Sequence, residues 1–257
     1  MFLAYASRFG QARIDRRLYL PESWAGDADR RAKAQVPEDV AFATKIAKAR
    51  ELIAAALDAG APRRWVLADA LYGGDYRLRH MLEDRRQPYV LAVRSNQALR
   101  LMLLDGLIET DPGTIAHEWP AEDWTRLPAG EGSKGLRLHD WARMALPWPT
   151  EEGFERWLLI RRNRKEPDRQ AYHLVFAPMG ATLAELAGAA GLRWTIEECF
   201  ERAKSDLGLD HCEARSWRGW HRHMTSSWPL AALLAKMAAD LRRSAFSKAN
   251  EGSPANG

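Results

Sequence analysis

Cysteine is scarce in this 257-residue chain, which contains only Cys199 and Cys212. Two cysteines cannot build a multiply cross-linked disulfide framework, and their scarcity fits a reducing compartment. Long apolar runs are missing too, since no stretch approaches the ~20 residues of a membrane-spanning helix and the apolar start is too short for a signal peptide. The sequence therefore predicts a cytoplasmic protein without a membrane partner.

Several common catalytic motifs are also absent. The chain has no Gly-x-Ser-x-Gly elbow, no Gly-rich phosphate-binding loop and no His-Glu-x-x-His zinc motif. An unrelated α/β metal-dependent nuclease stays open as an alternative without support from these motifs, and no small-molecule cofactor is predicted. A zinc site is a weaker alternative, because the spacing of His211, Cys212, His221 and His223 fits no common zinc template.

The composition describes a folded and mildly basic protein. Hydrophobic residues make up 46% of the chain, which is enough for a substantial core, and the net charge is +4 with a pI near 9.2. This balance permits a polyanionic partner without requiring one. Eleven Trp residues, several beside Arg or His, suit either core packing or a nucleic-acid surface.

Strand and helix patterns alternate through the first part of the chain. Strands are predicted at Met1–Ser7 and Ala12–Leu20, and a helix is predicted from Pro37 to Leu57. A short apolar strand, Trp65–Ala68, then ends on Asp69, and a helix and the strand Tyr89–Val93 follow. This order favours an α/β fold, in which an acid at the carboxyl end of a strand is often functional. A helix N-cap is the simpler role for Asp69.

The sequence pattern changes between residues 98 and 180, where Pro, Gly and Trp separate short segments. Arg156–Arg161 and Ala171–Phe176 flank a polar turn and predict a hairpin within a β-rich insertion. The densest basic patch of the chain lies at this hairpin and comprises Arg161, Arg162, Asn163, Arg164, Lys165 and Arg169. It suits a nucleic-acid contact or a solvated hairpin end equally well.

The stretch from Leu192 to Lys204 predicts one helix, because it lacks Gly and Pro and its apolar residues recur at helical spacing. On that helix Arg193, Glu197, Glu201 and Lys204 share a stripe. A solvated face with i,i+4 ion pairs explains the stripe without any function. If Asp69 and Glu197 instead converge, two hard carboxylates could hold Mg²⁺ or Mn²⁺ for phosphoryl transfer.

The spacing of Arg193, Glu197 and Lys204 resembles the Tyr-x2-Arg-x3-Glu-x6-Lys signature of DDE transposases from bacterial insertion sequences. Val66–Gly73, which contains Asp69, resembles the second-acid strand of that family, and residues 207–223 resemble the segment after its last acid. Ala190 stands in the tyrosine position, so the tyrosine's contribution to strand contacts is in doubt. The resemblance extends from about Phe2 to Arg243.

This resemblance implies a ribonuclease-H-like mixed sheet flanked by helices. The catalytic domain would comprise residues 1–97 and 181–243, with a β-rich insertion at 98–180 and a disordered tail at 244–257. It implies two Mg²⁺ or Mn²⁺ ions at the intact site, with Asp69 and Glu197 as catalytic metal ligands. It further implies a DNA partner (transposon ends and target) and a possible homodimer. The implied DNA-binding residues are Arg193, Lys204, Arg215, Trp217, Trp220, His221 and Arg222.

The first acid of the family has no counterpart in the chain, because it belongs to a first strand upstream of the one resembling Phe2–Ala6. Asp15 lies in the next strand and outside the motif. The sequence therefore predicts a truncated transposase with two of three metal ligands, unable to cleave DNA. A non-catalytic DNA-binding remnant is the remaining alternative.

Overall fold

The structure is a computed structural model that describes residues 1–7, 10–103, 106–132, 135–208, 210–225, 236 and 240. It divides into two compact units, one made of residues 1–55 and 194–257 and the other of residues 56–193. The predicted tail at residues 244–257 and most of residues 226–243 lie outside the described residues. None of the described helices combines the length and apolar character needed to cross a membrane.

The first unit opens with an antiparallel hairpin of β1 (Phe2–Ser7) and β2 (Gly10–Arg16). Two short helices, α1 (Glu22–Ala25) and α2 (Ala28–Lys33), follow the hairpin. Later in the chain, α8 (Trp194–Leu207) packs against the hairpin, and the rings of Phe2 and Phe200 meet edge to face with centroids 5.2 Å apart. A further helical segment spans residues 217–225.

Helix α3 (Lys45–Asp58) begins eight residues later than the sequence predicted. The guanidinium of Arg31 donates hydrogen bonds to the carbonyls of Pro37 (2.8 Å) and Val40 (2.7 Å), which holds this segment as a loop. Thr44 then accepts a hydrogen bond from the backbone N–H of Ala47 at 3.1 Å and so caps the helix. The prediction of a helix start at Pro37 was wrong because a tertiary contact engages those carbonyls.

The second unit contains a six-stranded sheet. Its described elements, in chain order, are β3 (Val66–Ala68), α4 (Ala70–Gly73), α5 (Tyr76–Asp84), β4 (Tyr89–Val93), β5 (Leu99–Leu103), β6 (Gly106–Thr110), α6 (Pro112–His117), a 3₁₀ turn (Ala121–Asp123), β7 (Thr125–Gly132), β8 (Gly135–Ala145), β9 (Phe154–Arg162), β10 (Gln170–Pro178) and α7 (Leu183–Leu192). The sheet order is β3-β4-β10-β9-β8-β7, while β5 and β6 form a separate hairpin. Strands β3 and β4 are parallel and the other sheet neighbours are antiparallel.

This mixed sheet flanked by helices confirms the predicted α/β architecture of ribonuclease-H-like type. The predicted hairpin is β9–β10, and β10 joins β4 directly, so strands of the β-rich segment continue the sheet that begins with β3 and β4. The predicted domain boundaries at residues 97 and 180 stay a prediction.

Helix α7 covers one face of the sheet. Trp141, Leu159 and Val175 of the strands are buried against Leu186 and Ala187 of the helix. The helix begins with a capping box in which Thr182 accepts from the N–H of Glu185 while the Glu185 carboxylate accepts from the N–H of Thr182. Burial of these apolar side chains fixes α7 on the sheet, because it removes their surface from water.

The stretch predicted to be one helix is divided at Arg193. Helix α7 ends at Leu192, Arg193 is its C-cap, and α8 begins at Trp194. The Arg193 N–H bonds to the carbonyl of Ala190, a tightened i→i−3 contact of the kind that closes a helix. The two compact units also divide at this residue.

Candidate active site at the end of strand β3

Asp69 directly follows β3, at the carboxyl end of a strand that pairs in parallel with β4. Its Oδ1 accepts a hydrogen bond from the backbone N–H of Leu71 at 2.9 Å, so the side chain caps the four-residue helix α4. The residue is exposed, and the cap engages one of its two oxygens. Asp69 is therefore a helix N-cap, as the simpler interpretation of the sequence suggested. The cap leaves the second carboxylate oxygen available for a ligand.

Close packing of α4 on β4 positions this carboxylate. A Cβ on Gly73 would lie 2.0 Å from the carbonyl oxygen of Ala92, which no side chain tolerates. Glycine at this position therefore allows α4 to approach the strand, and the turn that carries Asp69 is held at the end of the sheet.

A cleft of about 560 Å³ opens beside Asp69 within the second unit. Its polar lining combines two acids, one arginine and three neutral groups: Asp69, Asp168, Arg193, Ser95, Gln170 and Tyr172. Sequence reasoning missed Asp168, which lies in the turn between β9 and β10 and belongs to no motif. The cleft thus offers hard oxygen ligands beside a cation, a combination that suits a metal-bound phosphate.

Arg193 reaches this cleft from the end of α7. A cation is favourable at a helix C-terminus, where the unsatisfied carbonyls carry partial negative charge. The structure therefore brings together two sequence-predicted residues, Asp69 and Arg193, although they are 124 positions apart in the chain.

Two tyrosines near the cleft have raised pKa values. Burial raises the pKa of Tyr72 and the charge of Asp69 adds to the effect, while burial followed by Asp111 raises the pKa of Tyr172. Both phenols are therefore protonated at neutral pH, and the Tyr172 hydroxyl donates a hydrogen bond to Gln170 at 2.8 Å. The charge of the cleft comes from its carboxylates and arginine.

Glu197 and Lys204 lie on α8 in the first unit. Glu197 is exposed in the first turn of the helix. Lys204 lines a separate cleft of about 500 Å³ with Phe2, Phe200, Asp210 and Trp220 among its other lining residues. Asp15, which was not assigned to the motif, binds the Arg17 guanidinium at 3.0 Å.

The remaining predicted DNA-binding residues lie on or beside the helical segment 217–225. The ring of His221 lies between those of Trp217 and Trp220, with centroid distances of 4.7 and 4.8 Å. The pKa of His221 is lowered by burial and then by Arg16 and Arg17. Trp220 also packs against Met224, so these rings contribute to packing in the first unit, while Arg215 and Arg222 are exposed.

The carboxylates of the site determine which metal ion it could hold. Within the described part of the chain, no group of three or more His, Cys, Asp and Glu side chains is placed to hold an ion, and this includes the zinc alternative at residues 211–223. Mg²⁺, however, commonly binds through one or two carboxylates, substrate phosphates and water. The exposed Asp69 carboxylate in a cleft with Asp168 fits that coordination.

Comparison with known proteins shows a similarity for the first part of the chain. Residues 1–103 match the family model described as DDE superfamily endonuclease. The match contains Asp69 and ends before Arg193, Glu197 and Lys204. It agrees with the predicted resemblance over residues 1–103, while the Tyr-Arg-Glu-Lys branch stays a prediction. No curated protein matches the chain.

Proposed function

We propose that this chain takes part in the metal-dependent cleavage and strand transfer of DNA by a transposase. Its first 103 residues match the DDE superfamily endonucleases. In this proposal Asp69 and Glu197 are metal ligands, while Arg193 and Lys204 bind phosphates of the DNA. The observation that carries it is the position of Asp69, which lies within the family match and opens onto a cleft shared with Arg193.

The residues divide the chemistry between them. Asp69 supplies a carboxylate oxygen at the rim of the cleft, and its bond to the Leu71 N–H fixes the orientation of that carboxylate. Arg193 can bind two phosphate oxygens at once, which positions a phosphodiester and offsets its charge. When bound, Mg²⁺ or Mn²⁺ supplies Lewis-acid stabilisation to the attacking and leaving oxygens.

Mn²⁺ binding in the presence of duplex DNA tests the proposal, with plasmid nicking as a second measurement. We expect Asp69→Asn to weaken Mn²⁺ binding by about 10- to 100-fold, the scale on which altering a metal site lowers affinity. Asp75→Asn is the matched control, because Asp75 also caps a helix through its side chain, accepting from the Leu78 N–H at 3.0 Å. Asparagine preserves both caps, so only the loss of a metal ligand separates the variants.

The outcomes distinguish the alternatives. Equal Mn²⁺ binding by wild type and Asp69→Asn would contradict the metal site, and metal-independent DNA binding alongside it would favour a non-catalytic DNA-binding protein. The sequence predicts no nicking from two of three carboxylates. Nicking by the wild-type chain that Asp69→Asn abolishes would overturn that expectation.

A further inference from the structure

Two adjacent arginines at the end of β9 lie on opposite faces of the sheet. Arg161 is directly opposite Trp141 of β8 and Ala171 of β10, and it shares their face, the one that α7 covers. Arg162 is opposite Asp140 and points to the other side. The two residues have the same charge and the same strand, so their surroundings alone distinguish them.

Arg162 is neutralised where it lies. Its guanidinium is 3.5 Å from the Asp140 carboxylate and 4.1 Å from the ring centroid of Trp124. Asp140 also binds Arg126 at 3.0 Å. On this face one buried carboxylate therefore pairs with two arginines, so their charge is balanced within the protein.

Arg161 has cations around it instead. Burial lowers its pKa, and Arg193, Arg169 and Arg137 lower it further through their positive charge. Among the described residues Arg161 forms no ion pair with a carboxylate. Like charges near a half-buried guanidinium repel it, and a bound anion would reduce the repulsion on Arg161.

The backbone independently brings these arginines to one place. A Cβ on Gly191 would lie 2.0 Å from the carbonyl oxygen of Ala129, so the end of α7 touches β7. Arg137 lies close to this contact, because Pro128, the neighbour of Ala129, pairs with Leu138 of β8. Arg193 lies close to it as well, because it follows Gly191 by two residues. Ala171, which faces Arg161, lines the Asp69 cleft together with Arg193. The arginines and the cleft are therefore contiguous.

Two histidines on the α7 face of the sheet have lowered pKa values. His173 is directly opposite Leu159 and so shares the α7 face, two residues from Ala171. Burial, followed by Arg161 and Arg193, lowers its pKa to about 3, against the opposing effect of a backbone hydrogen bond with Leu159. The pKa of His139 is lowered by burial, Arg161 and Arg137. Arginine charges contribute to both pKa shifts after burial, which agrees with a concentration of positive charge on this face.

We propose that Arg161, together with Arg137 and Arg193, forms a subsite for a backbone phosphate of DNA on the sheet beside the Asp69 cleft. The inference rests on the proposed function for its choice of DNA, because a strand whose reacting phosphate lies at Asp69 must continue past the cleft wall. Planar guanidinium groups bind phosphate oxygens in pairs, and a half-buried position limits the competition from water.

The test compares Arg161→Gln with Arg162→Gln, which removes the same charge from the opposite face of the same strand. Binding to a short fluorescein-labelled DNA duplex is followed by anisotropy over a salt series, with a chelator present so that metal ligation does not contribute. We expect Arg161→Gln to weaken binding about tenfold and to reduce the salt slope by about one unit. Arg162→Gln should match wild type, and Arg161→Lys should retain the salt slope.

Thermal unfolding of the same variants shows whether a change reflects folding. Without DNA at low salt, Arg161→Gln should unfold at a higher temperature than wild type because repulsion is relieved, whereas Arg162→Gln should unfold at a lower one. Inorganic phosphate should raise the unfolding temperature of wild type more than that of Arg161→Gln. Phosphate could raise the unfolding temperature of wild type more than that of Arg161→Gln while both proteins bind the duplex with equal affinity. In that case the site binds a free anion and the DNA proposal is overturned.

The result separates this inference from the proposed active site. If Arg161→Gln binds DNA with the affinity and salt slope of wild type while Mn²⁺ binding depends on Asp69, the phosphate subsite alone would be overturned. Reduced affinity in Arg161→Gln without Asp69-dependent metal binding would overturn the metal site alone. Equal losses in Arg161→Gln and Arg162→Gln would attribute the effect to overall charge and contradict the subsite.

Discussion

The two faces of the sheet surround arginine with opposite charges where β9 ends beside the middle of β8. On one face Asp140 holds Arg126 and Arg162 within ion-pair distance. On the other face burial and then neighbouring arginines lower the pKa of Arg161, and the buried His173 lies on the same face. A face that balances its charge internally contributes to stability, whereas a face that concentrates one sign of charge is suited to a ligand of the other sign.

His173 provides the largest expected effect on the α7 face. Its folded-state pKa of about 3 lies below the ordinary 6.5, so between these values the unfolded chain binds a proton that the folded chain does not. Stability should therefore fall as pH is lowered, by about 1.4 kcal/mol per unit from this group. Urea denaturation between about pH 4 and 6.5 measures the slope, which His173→Gln should flatten.

His117 supplies the control for this measurement, because it is exposed at the end of α6. His117→Gln should keep the wild-type slope. A slope that is equally steep in His173→Gln and wild type would show that His173 is not held neutral.

Gly191 tests whether the position of α7 assembles the arginine face. Gly191→Ala places a methyl group against the Ala129 carbonyl, so the helix end must move and the free energy of unfolding should fall by about 2 kcal/mol. Gly188→Ala is the matched control on the same helix, since nothing lies within 4 Å of its Cβ position. That change should stabilise by about 0.5–1 kcal/mol, because alanine favours helix.

Chemical denaturation measures both glycine variants, and DNA anisotropy shows whether a displaced helix end weakens the duplex. Equal stability in Gly191→Ala and Gly188→Ala would mean that α7 does not depend on this close approach.

Asp140 gives the smallest expected effect and tests the opposite face. Asp140→Asn removes the carboxylate that pairs with Arg126 and Arg162, and we expect a loss of about 1 kcal/mol. Glu109→Gln, which removes an exposed partner of Arg100, should cost close to nothing. Urea denaturation compares the two, and a larger loss in Glu109→Gln would contradict the assigned role of Asp140.

Sequence patterns predicted the elements around the site well where local signals were strong. β3 with its terminal Asp69, β4 and the β9–β10 hairpin follow from short apolar runs bounded by turns. The start of α3 and the break at Arg193 were not predicted, because Arg31 and the end of α7 act through contacts that helical periodicity does not contain. Asp168 was missed because one acid in a polar turn carries no local signature.

The sequence by itself determined the family match over residues 1–103, the alternation of strands and helices, and the choice of Asp69, because these depend on local order and on residue type. Only the tertiary structure decided which charges meet. It placed Arg193 with Asp69 and Asp168 in one cleft, set Arg162 beside Asp140, and put Arg161 on the face that α7 covers. The physical reason is that electrostatic partners are set by distance in space, which strand register and helix packing fix and a linear pattern does not.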